Sequence, residues 1–278
     1  MRKWTFRCIL IGLVVSILAG TPLFAGGKKE APAGQAGVEG TVRDTEAPVT
    51  ILVAAAASLR NAFDQEIIPR FRAAYPWISV EGTYDSSGKL QTQIEQGLEA
   101  DVFMAAAMTQ MDNLVKGGLV QGDMVRSLLE NKVVLIKPVG VATVVTGFQD
   151  ISAAPVIALG DPASVPAGQY AQEIFTSLGT WDVVKAKASL GTNVTEVLNW
   201  VAEASAEVGV VYATDAASSG KVEVLAEAPA GSLARPVIYP VAPLAASLHP
   251  EEARLFIDFL ASSQGLAVFA AYGFAAAP

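Results

Sequence analysis

The sequence predicts an α/β protein built on parallel sheets with right-handed crossovers. Two observations carry that expectation. Along most of the 278 residues, short strand-like runs alternate with segments whose apolar residues recur at helical spacing. The clearest run, Val49–Ala56, is apolar throughout, as in a strand covered on both faces.

The elements follow in order. Leu59, Phe63, Ile67, Phe71 and Tyr75 recur at spacing four and predict a helix kinked or split at Pro69. Residues 79–84 alternate as a strand, and Leu90, Ile94 and Leu98 mark a second helix. "DVFMAA" (Asp101–Ala106), "KVVLIKP" (Lys132–Pro138), "PVIALGDP" (Pro155–Pro162) and "EVGVVYATD" (Glu207–Asp215) read as further strands. Helices are expected over 167–178 and 194–204. "ARPVIYPVAPL" carries three prolines and reads as an edge or a crossover rather than a central strand. Helices over 251–260 and 265–272 close the chain. No repeat of 20–50 residues is visible, which disfavours a solenoid. Residues alone leave open whether this is one large sheet or two lobes.

Ahead of this region, Arg2, Lys3 and Arg7 precede a short apolar run, Cys8–Gly20, and "TPLFA" offers a cleavage site after Ala25. Residues 1–25 are therefore read as a cleaved signal peptide; the alternative is an uncleaved anchor, for which the apolar run is short. Gly26–Pro48 is rich in Gly, Ala and Pro and reads as a disordered linker. The single cysteine, Cys8, lies upstream of the cleavage point, so lipidation is not expected and the mature chain would hold no thiol. An exported chain without disulfides fits a bacterial periplasm. The formal net charge of −8 becomes about −11 once three signal-peptide cations are removed. Nucleic acid and anionic membranes are poor partners for such a surface.

Four predicted helix starts share one chemistry. Ser58 follows "ILVAAAA"; Ser86, Ser87 and Gly88 open "SSGKL"; Pro166, Ala167 and Gly168 open another helix; Thr192, Asn193 and Val194 open a fourth. A helix N-terminus presents unpaired N–H groups and a partial positive charge, so it can bind an anion without Lys or Arg. Small residues let the anion reach the amides, and serine hydroxyls add donors. Ordinary N-capping is the competing explanation at each site. The convergence of several such starts at the carboxyl ends of strands favours a ligand.

With these pieces in order, the chain resembles the periplasmic molybdate-binding proteins of ABC importers, the ModA type, from about Thr50 to Phe274. The resemblance rests on "AAASL" (Ala55–Leu59), "SSGKL" (Ser86–Leu90), "ADVFMAA" (Ala100–Ala106), "GDPASVPAGQYAQE" (Gly160–Glu173), "GVVYATDA" (Gly209–Ala216) and "YGF" (Tyr272–Phe274). It implies a two-lobed periplasmic-binding-protein fold, each lobe a mostly parallel sheet flanked by helices. Lobe 1 would comprise 49–131 plus 241–278 and lobe 2 would comprise 132–240, with hinge crossovers near Asn131–Pro138 and Arg235–Pro243. It implies a tetrahedral oxyanion, molybdate or tungstate, held between the lobes and passed to permease subunits in the inner membrane. The matching positions are Ser58 and Ser87, each giving hydroxyl and amide, Ala167 and Val194, giving backbone amides, and Tyr212, giving its phenol. The resemblance implies no cofactor, no cation ligand and a monomer.

Alternatives at single residues remain: Tyr212 could be a core aromatic, and Val194 lies on the apolar stripe Val194, Val197, Leu198, Val201. Departures from the family pattern are Asp85 beside the site, read as facing solvent or capping its turn, and Ala107, where an acid is expected. Lys89 is read as a solvated surface lysine or a screen for Asp85. Another oxyanion such as sulfate is the main alternative ligand. A ferric or other cation receptor is disfavoured by dispersed tyrosines. An enzyme is disfavoured because His249 is the only histidine and no G-x-S-x-G elbow occurs.

Overall fold

The computed structural model describes residues 48–278; the signal peptide and most of the linker lie outside the described residues. Strand β1 (Val49–Ala56) is central to the first sheet because both of its faces are covered. Ile51, Val53 and Ala55 pack into one buried cluster, while Ala54 packs into a second with Leu90, Phe103 and Met111. That explains a run with no polar alternation.

The predicted kink after β1 takes a specific form. A tight turn at Ala57–Leu59 leads into α1 (Arg60–Ala62), then a π-helical stretch at Phe63–Ile67, then α2 (Ile68–Ala74). Pro69 falls just after the π stretch, where the widened turn accommodates a residue with no N–H to donate. The helix buries Phe63 and Phe71 against Phe256, with rings at 6.0 and 5.0 Å in edge-to-face arrangements. Aromatic pairs of this kind add about 0.5–1.5 kcal/mol beyond their area.

The chain continues through β2 (Ile78–Asp85), α3 (Ser87–Glu95), β3 (Val102–Met104), α4 (Met108–Lys116) and β4 (Arg126–Asn131). Gly97, at φ +97°, takes the left-handed conformation that stops α3 before Leu98. Lys132 alone separates β4 from β5 (Val133–Pro138), the first strand of the second sheet. That sheet adds β6 (Ile157–Gly160), α5 (Pro166–Ser177), α6 (Trp181–Lys187), β7 (Ala188–Gly191), α7 (Val194–Ala202), β8 (Val208–Tyr212), α8 (Ala213–Ala217) and β9 (Val222–Glu227). The chain then returns to the first sheet through β10 (Val237–Pro243), followed by α9 (Pro250–Ala261), α10 (Ser263–Ala271) and β11 (Ala275–Ala276). The strand orders are β11-β4-β10-β3-β1-β2 and β7-β6-β8-β5-β9.

The α/β class with two helix-flanked sheets is as expected, but both sheets are mixed. β1 runs parallel to β2 and β3, and β6 runs parallel to β7 and β8. The strands that carry the chain between sheets, β4, β5 and β10, pair antiparallel with their neighbours. β10 is a crossover, one of the two alternatives expected of it, but it lies inside the sheet, between β3 and β4, and not at an edge. Its prolines are tolerated because the register shifts between Tyr239 and Pro240, and Pro240 contributes its carbonyl, accepting from Ala105 N at 3.0 Å. β8 ends at Tyr212 instead of reaching Asp215, because Ala213 opens α8.

Glycine is required where α5 meets β6. A Cβ on Gly168 would overlap Gly160 O and lie 2.5 Å from Gly160 C and 3.1 Å from Asp161 C, all backbone. Gly168→Ala is expected to lower stability by about 1–3 kcal/mol, the usual cost of overpacking, read as a reduced midpoint in urea unfolding.

Candidate oxyanion-binding site

The registers decide where the helix starts fall. Ala55 lies opposite both Tyr84 and Met104, and Ala56 opposite Asp85, so β1, β2 and β3 end level with one another. Gly160 lies opposite Gly191, so β6 and β7 also end together. The following turns from both sheets line a single small cavity of about 10 Å³. Its walls include Ser58, Ser87, Ala167, Val194 and Tyr212, all five residues singled out by the sequence, with Asp85, Ser86, Ala106 and Pro166 beside them. The volume is below the ~300–1,000 Å³ of sites for drug-sized molecules. No Lys or Arg lines it.

Its polar groups are aimed inward. Ser87 is fully buried as the first residue of α3, and its Oγ accepts the Ala106 N–H at 2.9 Å. One lone pair is thereby occupied, leaving the hydroxyl proton to face the cavity. Ser86 and Asn193 cap α3 and α7, accepting from Lys89 N at 3.4 Å and Glu196 N at 3.0 Å. Capping and free donors are thus divided between neighbours: the cap side chains serve later amides, while the amides of Ser87, Ala167 and Val194 have no acceptor among the described residues. Val194 is 4% exposed, so its side chain packs while its amide stays available.

Tyr212, at the end of β8, is 1% exposed, and its hydroxyl has no partner within hydrogen-bond distance among the described residues, although the Tyr239 ring packs beside it at 5.6 Å. Burial pushes its phenol well above the ordinary range, so it keeps its proton. A buried, unpaired hydroxyl is costly in a finished core, which makes this one a candidate donor to a bound group.

Asp85 lines the cavity but its charge is occupied. Its Oδ1 accepts from Ser86 N at 2.8 Å and Asn193 Nδ2 at 3.4 Å, and Lys89 Nζ lies 3.4 Å away. It therefore caps its turn, with Lys89 as its screen. Ala107 occupies the N-cap of α4 without a side-chain bond, so the missing acid affects only that helix start. His249 takes the N-cap position of α9 ahead of Pro250, also without a side-chain bond.

The sequence reading did not foresee the contacts that bring the lobes together. Gly88 N donates to Ser164 O at 2.9 Å, Asn193 reaches Asp85, and Gln110 Nε2 donates to Gln169 Oε1 at 3.1 Å. Only the glycine in "SSGKL" signals such an approach beforehand.

Asp215 is a further buried group, with Oδ2 accepting the Tyr212 N–H at 3.2 Å. Burial pushes its carboxyl up to about 7 from 3.8, with the Tyr212 amide acting against that shift. The folded state thus holds a proton that the unfolded chain releases earlier, and the associated stability is lost as pH rises from about 4 to about 7. Urea unfolding across this range is expected to show wild type losing stability relative to Asp215→Asn, by up to about 1.4 kcal/mol per pH unit.

This fold and cavity define a two-lobed binding protein, and the chain belongs to the family of bacterial extracellular solute-binding proteins, whose model matches residues 51–275. The molybdate-binding protein ModA of Haemophilus influenzae is 35% identical over 238 residues, covering 83% of this chain and 91% of that one. YvgL of Bacillus subtilis, which carries the name of an ABC transporter substrate-binding lipoprotein, is 39% identical over 233 residues, covering 84% and 89%. The periplasmic molybdate-binding protein of Azotobacter vinelandii shares the fold, with a TM-score of 0.70 at 21% identity, covering 82% of this chain and 99% of that one. The family's members are solute-binding transport proteins, and the chain is an ABC-type substrate-binding protein of exported character.

Proposed function

We propose that this protein captures molybdate, and tungstate equally, between its two lobes in the periplasm and delivers it as a monomer to an ABC import permease in the inner membrane. A cleaved signal peptide would place it there. The observation that carries the reading is the unpaired Tyr212 hydroxyl, buried in a cavity that three unpartnered helix-start amides also face and no cation lines. The molybdate-binding relative supports the choice of anion.

In this reading Ser58 and Ser87 each give a hydroxyl and an amide, Ala167 and Val194 give amides, and Tyr212 gives its phenol. Hydrogen bonds to a charged group contribute about 1.5–3 kcal/mol each. About seven of them exceed the ~8 kcal/mol of a micromolar complex, and the surplus offsets dehydration of the dianion and ordering of the lobes. Local dipoles, not net charge, do the binding, which is why an acidic chain can hold an anion. A donor-only site also disfavours an oxyanion that keeps a proton, since donor would face donor at about 1–3 kcal/mol. Sulfate carries no proton but is smaller, so cavity size must exclude it.

Isothermal titration with molybdate, tungstate, sulfate and phosphate tests the proposal. Molybdate and tungstate are expected to bind at least tenfold more tightly than the others. No heat with molybdate alongside clear binding of another anion would overturn it.

A further inference from the structure

We infer that Tyr239, held in place by Asn131, is a positioning residue that biases the direction of the Ser58 hydroxyl, so that Ser58 presents its proton toward the cavity. The inference rests on the oxyanion reading and concerns how that site tells ionised from protonated anions.

One chain of hydrogen bonds runs across the crossover between the lobes. Asn131 ends β4 and is 5% exposed. Its Oδ1 accepts the Lys132 N–H at 2.8 Å. A backbone N–H can only donate, so the two ends of this amide are unambiguous. The amide nitrogen must then donate, and it does so to Thr214 Oγ1 at 2.9 Å and to Tyr239 Oη at 3.3 Å. Tyr239, fully buried on β10, therefore receives a hydrogen bond on its oxygen. Its one proton finds Ser58 Oγ at 3.0 Å, whereas the neighbouring Tyr212 hydroxyl, on a ring packed at 5.6 Å, stands outside hydrogen-bond distance. Burial keeps that phenol protonated, so it has a proton to give. Ser58 accepts from Tyr239, and its own proton is left to turn into the cavity.

A serine held this way has one lone pair engaged and its proton free for the cavity, so it favours donating to a ligand over accepting from one. Removing the Tyr239 hydroxyl frees Ser58 to rotate and offer a lone pair, and an oxyanion carrying a proton then finds an acceptor. The fully ionised anion loses an ordered donor at the same time. Tyr239 thus sets a preference without touching the ligand, acting through Ser58 alone.

The test is calorimetry on the full mature chain with molybdate and with phosphate, which carries at least one proton at neutral pH. Wild type is titrated first, and absence of molybdate binding there would fail the oxyanion reading itself, independently of Tyr239. In Tyr239→Phe the phosphate-to-molybdate affinity ratio is expected to rise about tenfold. Asn131→Leu, which releases Tyr239 to accept from Ser58, is expected to move the ratio the same way. Its use keeps the test open should the phenylalanine variant fail to fold. In a Ser58→Ala background Tyr239→Phe is expected to leave the ratio unchanged, because the residue it acts through is gone. A folded variant that weakens both anions equally, or an undiminished effect without Ser58, would overturn the inference.

Discussion

Gly88→Val is expected to weaken molybdate binding at least 100-fold while leaving the melting temperature of the ligand-free protein within a few degrees of wild type. Gly88 is the second residue of α3, in the first lobe, and its N–H bonds the Ser164 carbonyl of the second. A Cβ here would overlap Ser164 O and lie 2.7 Å from its Cα and 2.9 Å from its carbonyl carbon. These are backbone atoms, so no rotamer change relieves the overlap. The lobes would have to stand apart, moving the Ala167 and Val194 amides away from Ser87. A 100-fold loss corresponds to about 2.8 kcal/mol, less than two ion-directed hydrogen bonds would supply. The overlap lies between lobes and not within either, so each sheet keeps its own packing. Calorimetry with molybdate and a thermal melt without it separate the two effects. Unchanged affinity would mean that Gly88 and Ser164 do not meet in the bound form.

Tyr212→Phe is expected to change two properties in opposite directions. The hydroxyl is buried without a partner, so its removal relieves a desolvation cost and raises ligand-free stability by about 1 kcal/mol or more. The same change deletes a donor to the anion, weakening molybdate binding about 10- to 150-fold, the equivalent of 1.5–3 kcal/mol. The ring stays packed against Tyr170 and Tyr239 at 6.4 and 5.6 Å, so little else should alter. A core tyrosine with no ligand role would gain stability and bind as wild type does. Urea unfolding and titration of one preparation distinguish these outcomes.

Much of the fold was readable because local pattern and tertiary demand agree. Val49–Ala56 is a strand with the bounds its apolar run suggested, and α5 and α7 begin within a residue of expectation, at Pro166 and Val194. The candidate site residues were readable because each sits at a strand-to-helix turn. β4 was missed because "RSLLEN" holds two apolar residues among polar ones, and its identity as a strand comes from pairing with a segment about a hundred residues away. β9, "VEVLAE", lies at a sheet edge, where one side of the ladder imposes no pattern. The Asn131–Tyr239–Ser58 chain had no sequence signature at all. Its members come from β4, β10 and the turn after β1, and only the assembled sheets bring them within hydrogen-bonding distance.

The return of the chain through β10 has a consequence for how the molecule is made. Strand β3 has β1 on one side and β10 on the other, and β10 is synthesised only after the whole second sheet. The second sheet is continuous in sequence and needs no strand from outside its own stretch, whereas the first waits for its closing strands. Such distant pairing slows folding. Until β10 arrives, β3 presents an open edge to neighbouring chains, which is a route to aggregation. Newly exported molecules are therefore most vulnerable not at the binding cleft but along β3, and overexpression should fail first there.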